Sequence, residues 1–464
     1  MFNVSRSFVF FLVFSVLNQV NAQTEKAFSL QEAIEYAEKN SQSIKLSKLD
    51  IKSANADIKD YTSIGLPQVS GLVSYTYFPQ IQPASLPDFI TKPVAYTLAQ
   101  YGVITPQQAE QAVPGPNQVA RFGANHNARF GVQFSQLAFD GSYLMGLKAI
   151  KQFKVLKELE VSKNINDLHG TVAKSYLACV NIQAAYTILE KNISNIEKLL
   201  FQLRETKKQG FIEQLDVDRV ELSLQNLKAD YENLQYGRNM AQNYLKMLIG
   251  YPIEDSILLT DNLETLSQAI SNDLLEGSYS AESLPTYKML KQTELLNNLN
   301  VQRLKNAYYP SIAIFGNVFE NLNRNNLFSS QESGFLMSSL VGIQANIPIF
   351  DGFSKKAKIE KAMVDRDKFT QQLEMFERSV ALQIQNARQA YFKAQNTLTK
   401  RKETLILAEK IYNTTKIKFK EGVGGSLDVT NAEREFFAAQ NNVLNAQYDL
   451  LNAQYDLLQA YGKL

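Results

Sequence analysis

Cysteine is nearly absent from this 464-residue sequence, with Cys179 the only one. That excludes a disulfide framework. Its place inside a helical stretch reads as a small buried apolar side chain. Histidine is almost as scarce, with only His126 and His169. No metal-ligand cluster, phosphate loop or Ser/His/Asp set can be assembled, so the chain reads as no enzyme, with no cofactor and no metal. The formal net charge is +2, which points to no nucleic-acid partner. Beyond the N-terminus, no segment approaches the ~18 consecutive apolar residues of a spanning helix.

The N-terminus has the parts of a secretory signal peptide over residues 1–22. Arg6 is its basic region, Phe8 to Leu17 its apolar run and Val20-Asn21-Ala22 its cleavage site. No cysteine lies near that site to carry a lipid. An exported chain without a spanning helix is either soluble outside the cytoplasm or crosses a membrane as strands.

Proline and glycine are missing where they would interrupt a helix. Gly141 to Lys208 has no proline and only Gly146 and Gly170 inside it; Ser354 to Lys420 has neither residue. Each stretch predicts a helix of roughly 65 residues, on the order of 100 Å long. Apolar positions in the second stretch follow steps of four and three: Ala387, Tyr391, Ala394, Leu398, Leu405, Ala408, Tyr412 and Phe419. Arg401 and Thr415 interrupt them. The last helix is cleaner, from Val429, Ala432 and Phe436 through Ala439, Val443 and Ala446 to Leu457 and Ala460. A sustained seven-residue repeat imposes a left-handed coiled coil. Shorter helices are expected over Ser29 to Thr62, Gln214 to Leu248, Leu284 to Tyr308 and Asp428 to Tyr461. Taken in pairs, they match one long helix in length.

The plan is written twice. Gly210-x4-Leu215-Asp216-Val217 returns as Gly422-x4-Leu427-Asp428-Val429, and Phe139-Asp140-Gly141 returns as Phe350-Asp351-Gly352. Ahead of each copy lie two period-two runs. Val69, Gly71, Val73, Tyr75 and Tyr77 oppose Gln68, Ser70, Ser74 and Thr76, with Leu72 the exception. Phe130, Val132 and Phe134 oppose Arg129, Gln133 and Ser135. Ile312, Ile314 and Val318 oppose Ser311 and Asn317, with Phe315 and Phe319 out of pattern; Val341, Ile343, Ala345 and Ile347 oppose Gln344 and Asn346. Such runs suit transmembrane β-strands or a half-buried soluble sheet. Four strands cannot close a barrel, so the membrane reading forces several chains to share one. A proline-rich loop, 79–127, separates the first two strands and is assigned outside the cell; a shorter one covers Glu320 to Gly334. The division is then 1–22 signal peptide, 23–250 first repeat with tip turn 209–217, 251–283 equatorial linker, and 284–464 second repeat with tip turn 421–429.

In these doubled turns, in Leu137-Ala-Phe-Asp-Gly141 and Ile347-Pro-Ile-Phe-Asp-Gly352, and in Ala307-Tyr308-Tyr309-Pro310 before a strand, the sequence resembles the TolC-type outer-membrane efflux protein family. The resemblance covers essentially the whole mature chain. It implies an α+β fold: a homotrimer whose four strands per chain build one outer-membrane β-barrel, continuous with a coiled-coil α-helical barrel across the periplasm. It implies a passive exit duct for a tripartite efflux pump or type I secretion system. The partners are then outer-membrane lipid, a periplasmic adaptor and an inner-membrane transporter of RND or ABC type. The tip turns are where the adaptor docks, with Gly210, Phe211, Ile212, Gly422 and Val423 as its expected contacts. The family's gate of two aspartates three residues apart maps to Asp428 and, as a departure, Asn431; Asp216 is the counterpart in the first copy. Phe419 and Gly424 stand where that gate has a tyrosine and an arginine. On the residues alone, Asp216 and Asp428 are equally readable as helix caps. The competing reading of the whole chain is a periplasmic coiled-coil scaffold or adhesin stalk without a channel.

Overall fold

The computed structural model describes residues 26–267, 280–328 and 334–463. The expected signal peptide, part of the expected linker and part of the second loop lie outside these residues. The chain divides into two compact units. One holds the chain up to Ala54 with Phe153–Leu295 and Asp367–Leu464; the other holds Asn55–Gln152 and Leu296–Arg366.

The second unit is built on a four-stranded antiparallel sheet of β2 (Gln68–Tyr77), β5 (His126–Phe139), β7 (Ser311–Arg324) and β8 (Leu336–Asn346). Its order is β2-β5-β7-β8, so β2 and β8 are its edges. The two strand pairs expected from the duplication are therefore one sheet, joined where β5 pairs with β7. Register explains how the apolar sets combine. Val69 faces Phe134, which faces Gly316, which faces Val341; Ile314 faces Ile343. Paired residues share a face, so one face is mainly apolar across the four strands, interrupted by Gln136, Glu320 and Ser339, and the other carries Gln68, Gln133, Asn317 and Gln344. In the single chain that apolar face is bare, with Val341 86% exposed.

Phe315 and Phe319, which break the alternation, lie on the polar face for a packing reason. Phe319 pairs with Gly131 and Phe315 with Gly342. Each ring fills the space over the glycine opposite it, where an added Cβ would collide with ring atoms. The Arg129 guanidinium lies 3.6 Å from the Phe319 ring centre and closes that pocket with a cation–π contact.

The expected loop 79–127 is partly ordered. It contains β3 (Pro83–Leu86) paired with β4 (Gln118–Arg121), α3 (Thr91–Gln100) and α4 (Pro106–Glu110). The prolines that suggested irregular chain serve as element starts: Pro106 follows Thr105, which forms a capping box with Gln108. Asp88 accepts from the N–H groups of Ile90, Thr91 and Gly115. Those bonds hold its carboxyl well below the usual range.

The Phe-Asp-Gly repeats are helix starts. Asp140 accepts the Tyr143 N–H at 2.8 Å at the head of α5 (Gly141–Lys208). Asp351 accepts the Lys355 N–H at 2.9 Å at the head of α9 (Ser354–Lys420). Each satisfies an orphan donor of the first turn.

The first unit is helical. The single helix expected over Ser29 to Thr62 is two, α1 (Leu30–Asn40) and α2 (Gln42–Ser63). Ser41 breaks it by leaving the helical region at ψ 133° while its N–H still bonds Ala37 O. The short helices α6 (Gln214–Ile249), α8 (Pro285–Asn306) and α10 (Ser426–Ala460) lie within a few residues of their expected bounds. The seam is as spaced. Ala387, Tyr391, Leu398, Ala408 and Tyr412 on α9 are buried, as are Val429, Ala432, Ala439, Val443 and Leu457 on α10. Arg401, the interruption, is exposed.

Two short strands lay outside the sequence reading. β1 (Lys26–Phe28) pairs in parallel with β6 (Ile257–Leu259), which lies in the segment expected as a linker ahead of α7 (Leu263–Leu266). Tyr176 of α5 anchors them. It is fully buried, and its hydroxyl donates to Phe28 O at 2.8 Å and Asp261 Oδ2 at 3.1 Å. Burial pushes its phenol pKa upward. Asp261 also accepts the Leu30 N–H at 2.7 Å. Tyr176→Phe leaves buried acceptors short of a donor and should cost about 1–2 kcal/mol. The check is the thermal midpoint of the purified protein by circular dichroism, which should fall; an unchanged midpoint would show that these bonds add nothing.

Candidate functional site

The two Gly-x4-Leu-Asp-Val segments are the turns between α5 and α6 and between α9 and α10. Both open with the same device. Gly210 has φ +81° and Gly422 has φ +79°, a left-handed conformation that glycine enters without strain. The Gly210 N–H bonds Lys207 O at 2.8 Å; the Gly422 N–H bonds Phe419 O and the Val423 N–H bonds Lys418 O, both at 3.0 Å. Orphan carbonyls at each helix end are thereby satisfied. Lysines 207, 208, 418 and 420 lie in the last turns, where the helix dipole favours cations.

The residues after each glycine face water. Phe211 is 77% exposed and Val423 75%. Ile212, expected to be exposed with them, is half-buried against a cluster of Ile196, Leu199, Leu203, Val220 and Leu224. Val429 and Phe419 of the second hairpin belong to the same cluster. The two turns therefore lie side by side and share a core. A cleft of about 670 Å³ lies where they meet, lined by Phe211, Glu213 and Asp216 on one side and Phe419, Lys420 and Gly424 on the other.

The two aspartates do different work. Asp216 is half-buried; its Oδ1 accepts the Ser426 hydroxyl of the other turn and lies 3.8 Å from Arg219. It makes no cap, and the N-cap of α6 is Glu213, without a side-chain bond. Asp428 is exposed and accepts the Gly425 N–H at 3.3 Å, so it caps α10 while facing outward. Asn431, three residues on, is also exposed. The opposite face of that turn buries Val429, Thr430, Ala432 and Glu433. Glu433 had no part in the sequence reading; it sits beside the heptad seam rather than on it.

The first hairpin is also pinned across its helices. Arg204 pairs with Glu221 and Lys228 with Glu197, each at 2.9 Å. Among described residues 400–440, no ion pair joins α9 to α10. These pairs are about half exposed, so each is worth roughly 0.2–1 kcal/mol.

Nothing at the scarce residues competes with the turns as a site. His126 Nδ1 bonds the Tyr75 hydroxyl at 2.7 Å, and His169 lies 3.6 Å from Glu38. Cys179 is buried, which pushes its thiol up to about 12. Among the described residues no group of three His, Cys, Asp or Glu could hold a metal ion.

Comparison with known proteins bears on this arrangement. The sequence model described as outer membrane efflux protein matches residues 297–463. The solvent efflux pump outer membrane protein SrpC of Pseudomonas putida is 22% identical over 306 residues, 64% of this chain and 62% of the relative. The toluene efflux pump outer membrane protein TtgF, also of Pseudomonas putida, is 22% identical over 358 residues, 75% of this chain and 71% of the relative. Among solved structures, CusC covers 93% of this chain and 91% of its own, at TM-score 0.72 and 16% identity. The CmeC outer membrane channel of Campylobacter jejuni covers 94% of this chain and 85% of its own, at TM-score 0.69 and 16% identity.

Over residues 297–463 the chain matches the outer membrane efflux protein family.

Its fold is α+β, that of the outer-membrane channel proteins it is similar to. The chain spans about 62% of the length of the first curated relatives it matches. The match at 297–463 ends with the second hairpin, so the Asp428 turn lies inside it and the Asp216 turn outside.

Joining the turns through Ser426 and Asp216 has a measurable consequence. Ser426→Ala removes the hydroxyl donor and leaves the half-buried carboxylate one partner short, at a cost of about 1–2 kcal/mol. Amide exchange across 426–432 should then accelerate about tenfold, while 440–460 keeps its protection. Equal exchange in both proteins would remove Ser426 from the account.

Proposed function

We propose that three copies of this chain form an outer-membrane exit duct, passive in itself and opened at its periplasmic tip by an adaptor and an inner-membrane transporter. The observation that carries this reading is the sheet: one face mainly apolar across four strands, with the outer edges of β2 and β8 unpaired. No described helix is long and apolar enough to cross a membrane, so any crossing falls to strands. In hydrocarbon, unpaired edges have no water to satisfy them. Closing β8 of one copy on β2 of the next answers this, and three copies give a barrel of about twelve strands, within the known range. The scaffold or stalk reading accounts for the heptads but leaves a bare apolar sheet without use.

At the tip, Asp428 is the proposed gate residue. Three symmetry-related carboxylates at a narrow mouth favour cations and repel anions. Asn431 contributes a neutral second ring. Asp216, engaged with Ser426 and Arg219, serves the wall rather than the mouth. The second hairpin is the moving part, supported by its lack of cross-helix ion pairs among described residues 400–440, where the first hairpin has two. Phe211 and Val423 are the adaptor contacts, with Gly210 and Gly422 shaping them; Ile212 supports the turn from inside. The cargo belongs to pump and adaptor, whether an efflux pump or a type I secretion system.

The test begins with fractionation. A duct stays with the outer membrane and conducts in planar bilayers, whereas a scaffold is released with the periplasm. Asp428→Ala should then lower cation-over-anion permeability and raise single-channel conductance about two-fold or more, from removal of the ring's field. Unchanged selectivity and conductance would remove Asp428 from the gate.

A further inference from the structure

Glu433 lies on α10 two residues beyond Asn431, turned to the inside. It is 6% exposed, and its Oε2 has no hydrogen-bond partner. Next to it, the ring of Tyr412 on α9 stacks on Phe436 of α10, with centres 5.4 Å apart and planes 7° apart. The Lys416 ammonium lies 5.8 Å from the centre of the same Tyr412 ring. Lys416 favours the charged carboxylate but makes no bond to Oε2, and burial outweighs it. The Glu433 carboxyl is pushed up to about 7, by desolvation first and against the pull of Lys416. The same proximity raises the Tyr412 phenol, through burial and then Glu433.

A buried acid with one orphan oxygen is tolerable while neutral and costly once ionised. On α5 and α6, Arg204 pairs with Glu221 and Lys228 with Glu197; Asp216 is held by Ser426 and Arg219. Lys416 and Tyr412 on α9 are the titratable groups that couple to Glu433.

We propose that Glu433 sets how firmly the second hairpin is seated: protonated, it lets α10 pack against α9 and the first hairpin, and ionised, it loosens that seat. The proposal rests on the reading of this tip as a gate and adds its regulation. The sign follows from linkage. A carboxyl whose folded-state pKa is raised stabilises packing fully below its unfolded value near 4.5 and loses that contribution as pH rises through about 7. The tip is thus held shut in mild acid and eased near and above neutrality.

Hydrogen exchange on the full-length protein in detergent micelles reads this without requiring conduction. Between pH 5.5 and 8, after correction for intrinsic exchange, protection across 426–440 should fall about tenfold or more in the wild type. Glu433→Gln should stay protected at both pH values. Lys416→Met, which removes the nearby cation and leaves Glu433 in place, should move the step to higher pH. Asp428→Asn should keep the wild-type step. A wild-type tip without a step, a Glu433→Gln protein that loses protection like the wild type, an unmoved step in Lys416→Met, or loss of the step in Asp428→Asn each overturns the proposal. Bilayer recordings on the same proteins separate this from the larger reading. A protein that does not conduct removes the duct, while the exchange result still decides the role of Glu433.

Discussion

A strand edge in hydrocarbon has nowhere to send its N–H and C=O groups. That constraint governs this chain more than any single contact. The sheet of β2, β5, β7 and β8 is mainly apolar on one face and ends in two unpaired edges. A soluble protein would cover such a face or break it with charge. Two of the apolar residues on the polar face, Phe315 and Phe319, fill glycine gaps opposite them. On the proposed reading, trimerisation completes the sheet rather than joining three finished barrels.

Duplication supplies the rest and then departs from symmetry at the two turns. Both copies keep the Asp helix starts and the left-handed glycine at the turn. They differ in what holds the turn. The first has cross-helix ion pairs and an Asp216 turned toward its neighbour; the second has an outward Asp428 and a buried Glu433. Equivalent geometry with unequal fastening lets one hairpin serve as frame for the other.

Much of this was legible in sequence because it is periodic. Most heptad positions from Ala387 to Tyr412 and from Val429 to Ala460 are buried, with Ala394, Leu405, Phe436 and Leu450 half-buried. The period-two runs are the strands, and the repeated Gly-x4-Leu-Asp-Val segments are the turns. What escaped was short or non-local. β1 and β6 are three residues each and exist only because they meet across more than two hundred residues of chain. The break at Ser41 is a single ψ angle in an otherwise periodic helix, signalled only by the Asn40-Ser41 pair. The ordered elements within 79–127 were hidden by prolines that start a helix as readily as they prevent one. Asp216 and Asp428 are identical in motif, and only the position of Ser426 separates their roles. Glu433 lies one residue from a seam position, and a charged residue there reads as solvated until the facing helix is placed.

The energetics of the tip fit a duct that does no work of its own. Shifting a two-state element from almost wholly closed to almost wholly open takes about 5.5 kcal/mol of differential binding. The seat of the second hairpin on the first rests on the Ser426–Asp216 bond, on the Asn192–Gln440 bond at 2.9 Å, and on Val429 and Phe419 in the shared cluster. On the proposed reading, a partner binding at exposed Phe211 and Val423 supplies the difference. A tip fastened as the first hairpin is, with a full set of cross-helix bonds on both sides, would demand more from the same small surface. The second hairpin has been left weak, and its weakness is concentrated in one buried carboxyl and one shared hydroxyl bond.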